Sequence, residues 1–175
     1  MSSAMKFLVI GCGSIGKRHI RNLLKLKVRD IAAYDVRSDR CEEAQKQFDI
    51  AIYRDLSQAL DQNLDAVLVC TPTSLHLSYA YLVAERGLHV FVEKPLSHSL
   101  DGIDRLLAEV SRKQVILLVG CNFRFHRGLV LVKQILSEGK IGRPLFARAQ
   151  FGQYLPDWHP WEDYRHGYSA KKALG

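Results

Sequence analysis

The amino-acid sequence predicts an α/β protein: a doubly wound parallel sheet with helices on both faces, followed by the start of a second, α+β domain. Three observations carry that prediction. Six short apolar runs alternate with helix-length stretches over residues 1–120. The runs are almost continuously apolar, the pattern of strands buried on both faces. The first run leads straight into Gly11-Cys-Gly-Ser-Ile-Gly16, a G-x-G-x-x-G turn that opens a helix.

Residues 7–10 form the first strand, and the helix from Ser14 carries Ile15, Ile20, Leu23 and Leu24 at helical spacing. Residues 31–34 are the second strand, closed by Asp35. Ser38–Phe48 reads as a helix with Ser38 as its cap, and Ala51–Tyr53 as the third strand. A short helix over 55–62 precedes the strand 65–70, after which Thr71-Pro72 breaks the pattern. The helix 75–86 stops at Gly87, and His89–Val92 is the fifth strand. Helix 100–113 and strand 115–119 complete the series. Beyond Gly120, residues 128–138 read as a helix ending at Gly139 and residues 144–151 as a strand; the aromatic-rich remainder has little periodicity. About 55 residues are too few for an ordinary domain, so the expected organisation is one domain over 1–120 and the truncated start of another over 121–175.

Composition narrows the function classes. With 47% hydrophobic and 25% charged residues, the balance is that of a globular protein. No run approaches the ~18 apolar residues of a membrane span, and the N-terminus enters the first strand without a signal-peptide pattern. Cys12, Cys41, Cys70 and Cys121 form no C-x-x-C pair and have no histidine at metal-ligand spacing, so reduced thiols in the cytoplasm and no metal site are expected. Cys70 and Cys121, beside strand-like runs, are expected in the core. The net charge of +7 and the cluster Lys17, Arg18, Arg21, Lys25, Lys27 and Arg29 come without the stacking aromatics or recognition helix of a nucleic-acid binder. A solvated helix face accounts for them, with attraction of a phosphorylated or nucleotide-linked substrate as a milder alternative.

The glycine turn carries the cofactor signal. Gly11 permits the tight turn, Gly13 leaves room for a pyrophosphate against the backbone, and Gly16 lets helix and strand close up; the backbone around Cys12, Ser14 and Ile15 then faces the anion. Asp35, 24 positions after Gly11, is placed to bond the adenine-ribose 2′-hydroxyl and to repel a 2′-phosphate. That favours NAD, while Arg37 softens the preference and keeps NADP open. Ligands of open α/β sheets lie outside the carboxyl ends of the strands, where Thr71, Pro72, Glu93, Lys94, Pro95, Asn122 and Arg124 fall.

Taken together, Gly11-Cys-Gly-Ser-Ile-Gly16, Cys70-Thr-Pro72 with His76, Gly87-Leu-His-Val-Phe-Val-Glu-Lys-Pro95, Asn122-Phe-Arg-Phe125 and Gly139-Lys-Ile-Gly142 resemble the Gfo/Idh/MocA oxidoreductases, which include glucose-fructose oxidoreductase and inositol dehydrogenase. The resemblance covers essentially the whole chain. It implies a Rossmann fold and a nicotinamide enzyme that moves a hydride to or from a hydroxyl or ketone of a sugar, cyclitol or sugar derivative. It implies that Lys94 is catalytic, near the nicotinamide and the reacting oxygen, where an ammonium stabilises developing charge. Thr71, Pro72, His76, Glu93, Pro95, Asn122 and Arg124 would hold the cofactor, and the full-length protein would be a homo-oligomer. Residues 157–168 resemble the part of the second domain that approaches substrate, with Trp161 and Arg165 suited to a sugar or its phosphate; inter-domain packing is the equal alternative. That stretch looks closest to members handling nucleotide-linked or nine-carbon acidic sugars.

One departure matters. Catalytically complete members carry an aspartate and a histidine four residues apart, and no Asp-x-x-x-His occurs here; Asp163, His159 and His166 do not reproduce it. The expectation is a chain that binds dinucleotide and turns substrate over poorly. A non-catalytic dinucleotide-binding module is the alternative, and a Rossmann methyltransferase a remote third.

Overall fold

The computed structural model describes residues 5–158, 160, 163–167 and 170–174. The chain forms two compact units, one of residues 1–120 with 173–175 and the other of residues 121–172. The first holds a six-stranded, wholly parallel sheet: β1 Lys6–Ile10, β2 Asp30–Tyr34, β3 Ala51–Tyr53, β4 Ala66–Val69, β5 His89–Val92 and β6 Leu117–Val119, in the order β3-β2-β1-β4-β5-β6. Strand order reverses between β1 and β4, which opens a crevice at their carboxyl ends. Helices α1 Ser14–Lys25, α2 Ser38–Phe48, α3 Leu56–Leu60, α4 His76–Glu85 and α5 Ile103–Lys113 lie along the crossovers.

Side-chain alternation divides each strand between two cores. Leu8, Ile10, Val67, Val69, Val90 and Val92 pack with Ala80, Val83 and Ala84 of α4 and Leu106 of α5. On the other face Val9, Ala33 and Leu68 pack with Ile20 and Leu23 of α1 and Ala44 of α2. Coverage of both faces is why the strands are apolar throughout rather than alternating with polar residues.

Several boundaries depart from expectation where local chemistry outweighs periodicity. Ser38 is the first residue of α2 rather than its cap; Arg37 occupies the cap position without a side-chain bond. α5 starts at Ile103, because Ser99 and Asp101 bond each other in a turn and Gly102 enters the helix at φ 81°. The strand expected over 144–151 is absent: among the described residues nothing pairs with that segment, and a strand exists only through its ladder partners. Cys121, expected in the core, is exposed, since it begins the second unit just past β6. Within that unit α6 Arg127–Ser137 and the short α7 Leu155–Trp158 are the α-helices among the described residues. No helix among the described residues is long and apolar enough to cross a membrane, and no cluster of metal-ligating side chains occurs among them.

Candidate dinucleotide site

β1 delivers Gly11 to the crevice. Gly11 has φ +100°, and a Cβ there would lie 2.6 Å from the Cys70 carbonyl oxygen, so neither conformation nor space admits a side chain. At Gly16 an added Cβ would lie 1.8 Å from the Gly11 oxygen; α1 rides directly on the loop. Gly13 differs. Its φ is an ordinary −69°, and an added Cβ would meet only Arg40 Nη1, at 3.8 Å, so its face opens outward. α1 begins there with no side-chain cap and no acidic residue in its first turn, which leaves its positive end for an external anion.

Asp35, at the end of β2, has a side chain only 5% exposed. Its Oδ2 accepts the Cys12 N–H at 2.7 Å and its Oδ1 the Arg37 N–H at 2.9 Å, so this carboxylate braces the glycine loop as well as lining the crevice. Spacing in the sequence does not reveal that second duty. The cleft above it is walled by Gly11, Tyr34, Asp35, Thr71, Pro72 and Tyr79, among others, and encloses about 520 Å³ with its open mouth. Thr71 Oγ1 is buried beside it without a hydrogen-bond partner among the described residues.

Arg37 also lines the cleft, but its guanidinium grips Asp39, and that hydrogen-bonded pairing holds the Asp39 carboxyl down at about 2. Arg40, which sequence reading passes over, approaches Asp35 instead. Its signal lay in helical position: it follows Arg37 by three residues, on the first turn of α2.

The other end of the crevice is built by Glu93-Lys94-Pro95 after β5. Glu93 Oε1 lies 2.7 Å from Nε2 of His19 on α1, and these side chains are 13% and 18% exposed. The His19 ring packs edge-on against Phe91 at 4.9 Å. Burial alone would raise the Glu93 pKa; the His19 hydrogen bond and charge, with the Lys94 N–H and ammonium, outweigh it and hold the carboxyl below its ordinary range. Gly120 keeps this corner clear, for a Cβ there would come within 2.8 Å of Phe91 Cζ and 3.2 Å of Glu93 Oε1. Lys94 is exposed and is followed by a cis peptide bond to Pro95. His19 is the second residue that sequence reading misses; it follows Gly16 by three residues on the inward side of α1.

His76, expected at the cofactor, turns its ring inward between two loops of the crevice. The residue is 2% exposed, with Nδ1 2.7 Å from the Pro95 oxygen and Nε2 2.8 Å from the Thr71 oxygen, and it cross-links the loops after β4 and β5. Cys12 and Ile15 likewise turn their side chains into the core and leave only backbone for a ligand; burial first, then Cys41 and Asp35, push the Cys12 thiol up to about 12. In the second unit, Asn122 and Arg124 lie on an exposed 3-10 turn, and Arg165 is exposed beside Asp163 and the Tyr164 ring. Trp161 lies outside the described residues. The open face at Gly13, the uncapped helix start, the near-buried Asp35 and the unpartnered Thr71 hydroxyl fit a dinucleotide lying across the crevice.

A family model, Gfo/Idh/MocA, described as an oxidoreductase family with an NAD-binding Rossmann fold, matches residues 5–121. Myo-inositol 2-dehydrogenase of Thermotoga maritima is 38% identical over 143 residues, 80% of this chain and 43% of that protein. A scyllo-inositol 2-dehydrogenase (NAD(+)) of Bacillus subtilis is 31% identical over 150 residues, 83% of this chain and 44% of that protein. Among solved structures, the WlbA dehydrogenase from Bordetella pertussis, in complex with NADH and UDP-GlcNAcA, matches with a TM-score of 0.76 at 28% identity, covering 82% of this chain and 42% of that one. The chain spans less than half the length of the curated relatives it matches.

Proposed function

The chain belongs to the Gfo/Idh/MocA oxidoreductase family, with its NAD-binding Rossmann fold, and we propose that it supplies the cofactor-binding part of a dehydrogenase acting on a cyclitol, sugar or sugar derivative. NAD is the cofactor, and when bound its nicotinamide ring accepts or returns the hydride. One observation carries the reading. The 2.7 Å contact between His19 and Glu93 ties Glu93-Lys94-Pro95 to the helix that receives the dinucleotide, so the lysine and the cofactor share one frame.

In this reading Gly13 and the first-turn N–H groups of α1 hold the pyrophosphate, Asp35 holds the adenine-ribose hydroxyls, and Thr71 and Pro72 wall the cleft. Lys94 donates an N–H to the substrate oxygen and stabilises the negative charge that grows there. Asn122 and Arg124 serve the nicotinamide end, and Trp161 and Arg165 the substrate. The inositol dehydrogenases among the relatives support a cyclitol, and the UDP-GlcNAcA held by WlbA supports a nucleotide-linked sugar as the second class. Residues 1–120 form the NAD domain and 121–175 the beginning of a substrate and oligomerisation domain, in a cytoplasmic homo-oligomer. Because the sequence has no Asp-x-x-x-His, the 175-residue chain alone binds NAD and turns over little.

Fluorescence titration with NADH and NADPH, together with initial rates on myo- and scyllo-inositol, tests this. NADH binds more tightly than NADPH, and turnover by the chain alone stays near background. Whatever rate remains above background is lost on Lys94→Met, a larger effect than any change in NADH affinity. Tighter NADPH binding refutes the role of Asp35, and brisk turnover refutes the dependence on a separate Asp/His pair.

A further inference from the structure

We propose that His19 is a positioning residue of this site: through Glu93 it ties the glycine loop and α1 to the backbone of Lys94, so that filling the ADP end of the cleft orders the lysine at the other end. The role rests on the reading of the cleft as an NAD site with Lys94 at its reacting end, and adds to it a coupling between the two halves.

The Lys94 side chain is exposed and, among the described residues, makes no hydrogen bond or ion pair of its own. The reach of its ammonium is therefore set by its backbone. Glu93 uses its two oxygens differently: Oε2 accepts the Lys94 N–H at 3.2 Å, while Oε1 lies 2.7 Å from His19 Nε2. An ionised carboxylate only accepts, so Nε2 carries the hydrogen and donates it. There is little slack around the pair, because the His19 ring packs on Phe91 and a Cβ on Gly120 would stand 3.2 Å from Oε1. On the far side of Lys94, His76 bonds the Pro95 and Thr71 carbonyl oxygens. One histidine thus anchors the loop after β5 to the loop after β4, and the other anchors it to α1. Among the described residues, no other α1 side chain hydrogen-bonds that loop.

α1 is the element that the dinucleotide grips. It begins without a side-chain cap or an acidic residue in its first turn, and Gly16 packs it so close to the Gly11 oxygen that loop and helix move as one body. An anion at Gly13 completes the helix start and restrains it. His19, three residues after Gly16, carries that restraint to Glu93 and from there to the Lys94 N–H. The coupling is one of order rather than displacement: whatever meets Lys94 next finds a backbone already restrained.

ADP is the probe, because it fills the adenosine and pyrophosphate end and lacks the nicotinamide that would cover Lys94 directly. Hydrogen exchange of the Lys94 amide is followed by NMR in the 175-residue chain, with and without saturating ADP. ADP slows that exchange by about fivefold or more in the parent. In His19→Ala, ADP still binds, and core amides of β1, which open by global unfolding, keep their ligand-induced protection, but the gain at Lys94 is lost. His19→Gln, which retains a donor, restores part of it. A merely structural role for His19 would speed exchange along β5 alike with and without ADP and leave the gain intact. A gain at Lys94 that survives in His19→Ala, or none in a parent that binds ADP, overturns the proposal. Should His19→Ala fail to fold, His19→Leu, which packs on Phe91 without a donor, decides the matter. A parent that binds neither ADP nor NADH refutes the cofactor reading itself, whereas ADP binding with Lys94 unprotected refutes only the coupling.

Discussion

Alanine at Gly13 and at Gly16 separates the two things the glycine loop does. At Gly13, φ −69° and ψ −171° suit alanine, and the new methyl meets nothing nearer than Arg40 Nη1 at 3.8 Å. Gains from a stiffer unfolded chain, about 0.4–1 kcal/mol, oppose a small loss of cap preference, so the melting temperature moves by no more than about 3 °C. The methyl does stand where the pyrophosphate must approach. Losing one or two charge-assisted hydrogen bonds of about 1.5–3 kcal/mol each weakens NADH binding by roughly 10-fold to 10⁴-fold. Gly16→Ala behaves oppositely, because its Cβ would sit 1.8 Å from a backbone oxygen, against a working limit of 3.0 Å. Loop and helix must part by roughly 1 Å or more, an overpacking cost of about 3 kcal/mol or above, which lowers the melting temperature by about 6–12 °C. Circular-dichroism melts and NADH titrations of both variants provide the assay. A Gly13→Ala chain that binds NADH like the parent refutes the placement of the pyrophosphate, and a Gly16→Ala chain that melts within about 2 °C of the parent refutes the close approach.

Three further outcomes are expected. Leu106→Ala, at a fully buried position of α5, lowers unfolding free energy by about 2–5 kcal/mol, visible as a lower urea midpoint at unchanged m. His19→Ala leaves the largely buried Glu93 without its partner and costs about 1–3 kcal/mol at neutral pH. Because the Glu93 carboxyl titrates below its ordinary 4.5 in the folded chain, the stability it contributes is complete above that value and is lost as pH falls through the lowered folded value. Urea unfolding between pH 6 and pH 3 therefore shows a shallower acid loss in His19→Ala than in the parent, and equal slopes count against the pair. Cys121 is exposed while Cys12, Cys41 and Cys70 are buried, and burial foremost raises the pKa of Cys12 and Cys70. A thiol reagent thus titrates one fast thiol in the native chain and four in denaturant; a second fast native thiol contradicts this packing.

The sequence by itself determined the number of strands and their succession along the chain, the crossover helices, the glycine loop and the NAD-directed family. These rest on local signals: apolar runs of strand length, helical spacing as in Ile20 and Leu23, and a motif contained in one strand-to-helix turn. Tertiary structure alone decided which polar groups meet. His19 and Glu93 are 74 residues apart, and their 2.7 Å contact exists only because α1 and the end of β5 converge on one edge of the sheet. Arg37 and Arg40 are the same residue type three positions apart, yet one is closed onto Asp39 and the other faces Asp35. His76 matches a cofactor-edge motif but is drawn inward to two backbone carbonyl oxygens. Residues 144–151 have strand-forming side chains and, among the described residues, no strand to pair with. The physical reason is common to all four: propensity and spacing are properties of neighbouring residues, whereas the direction of a side chain and the partner of a backbone are set by whatever folding brings alongside.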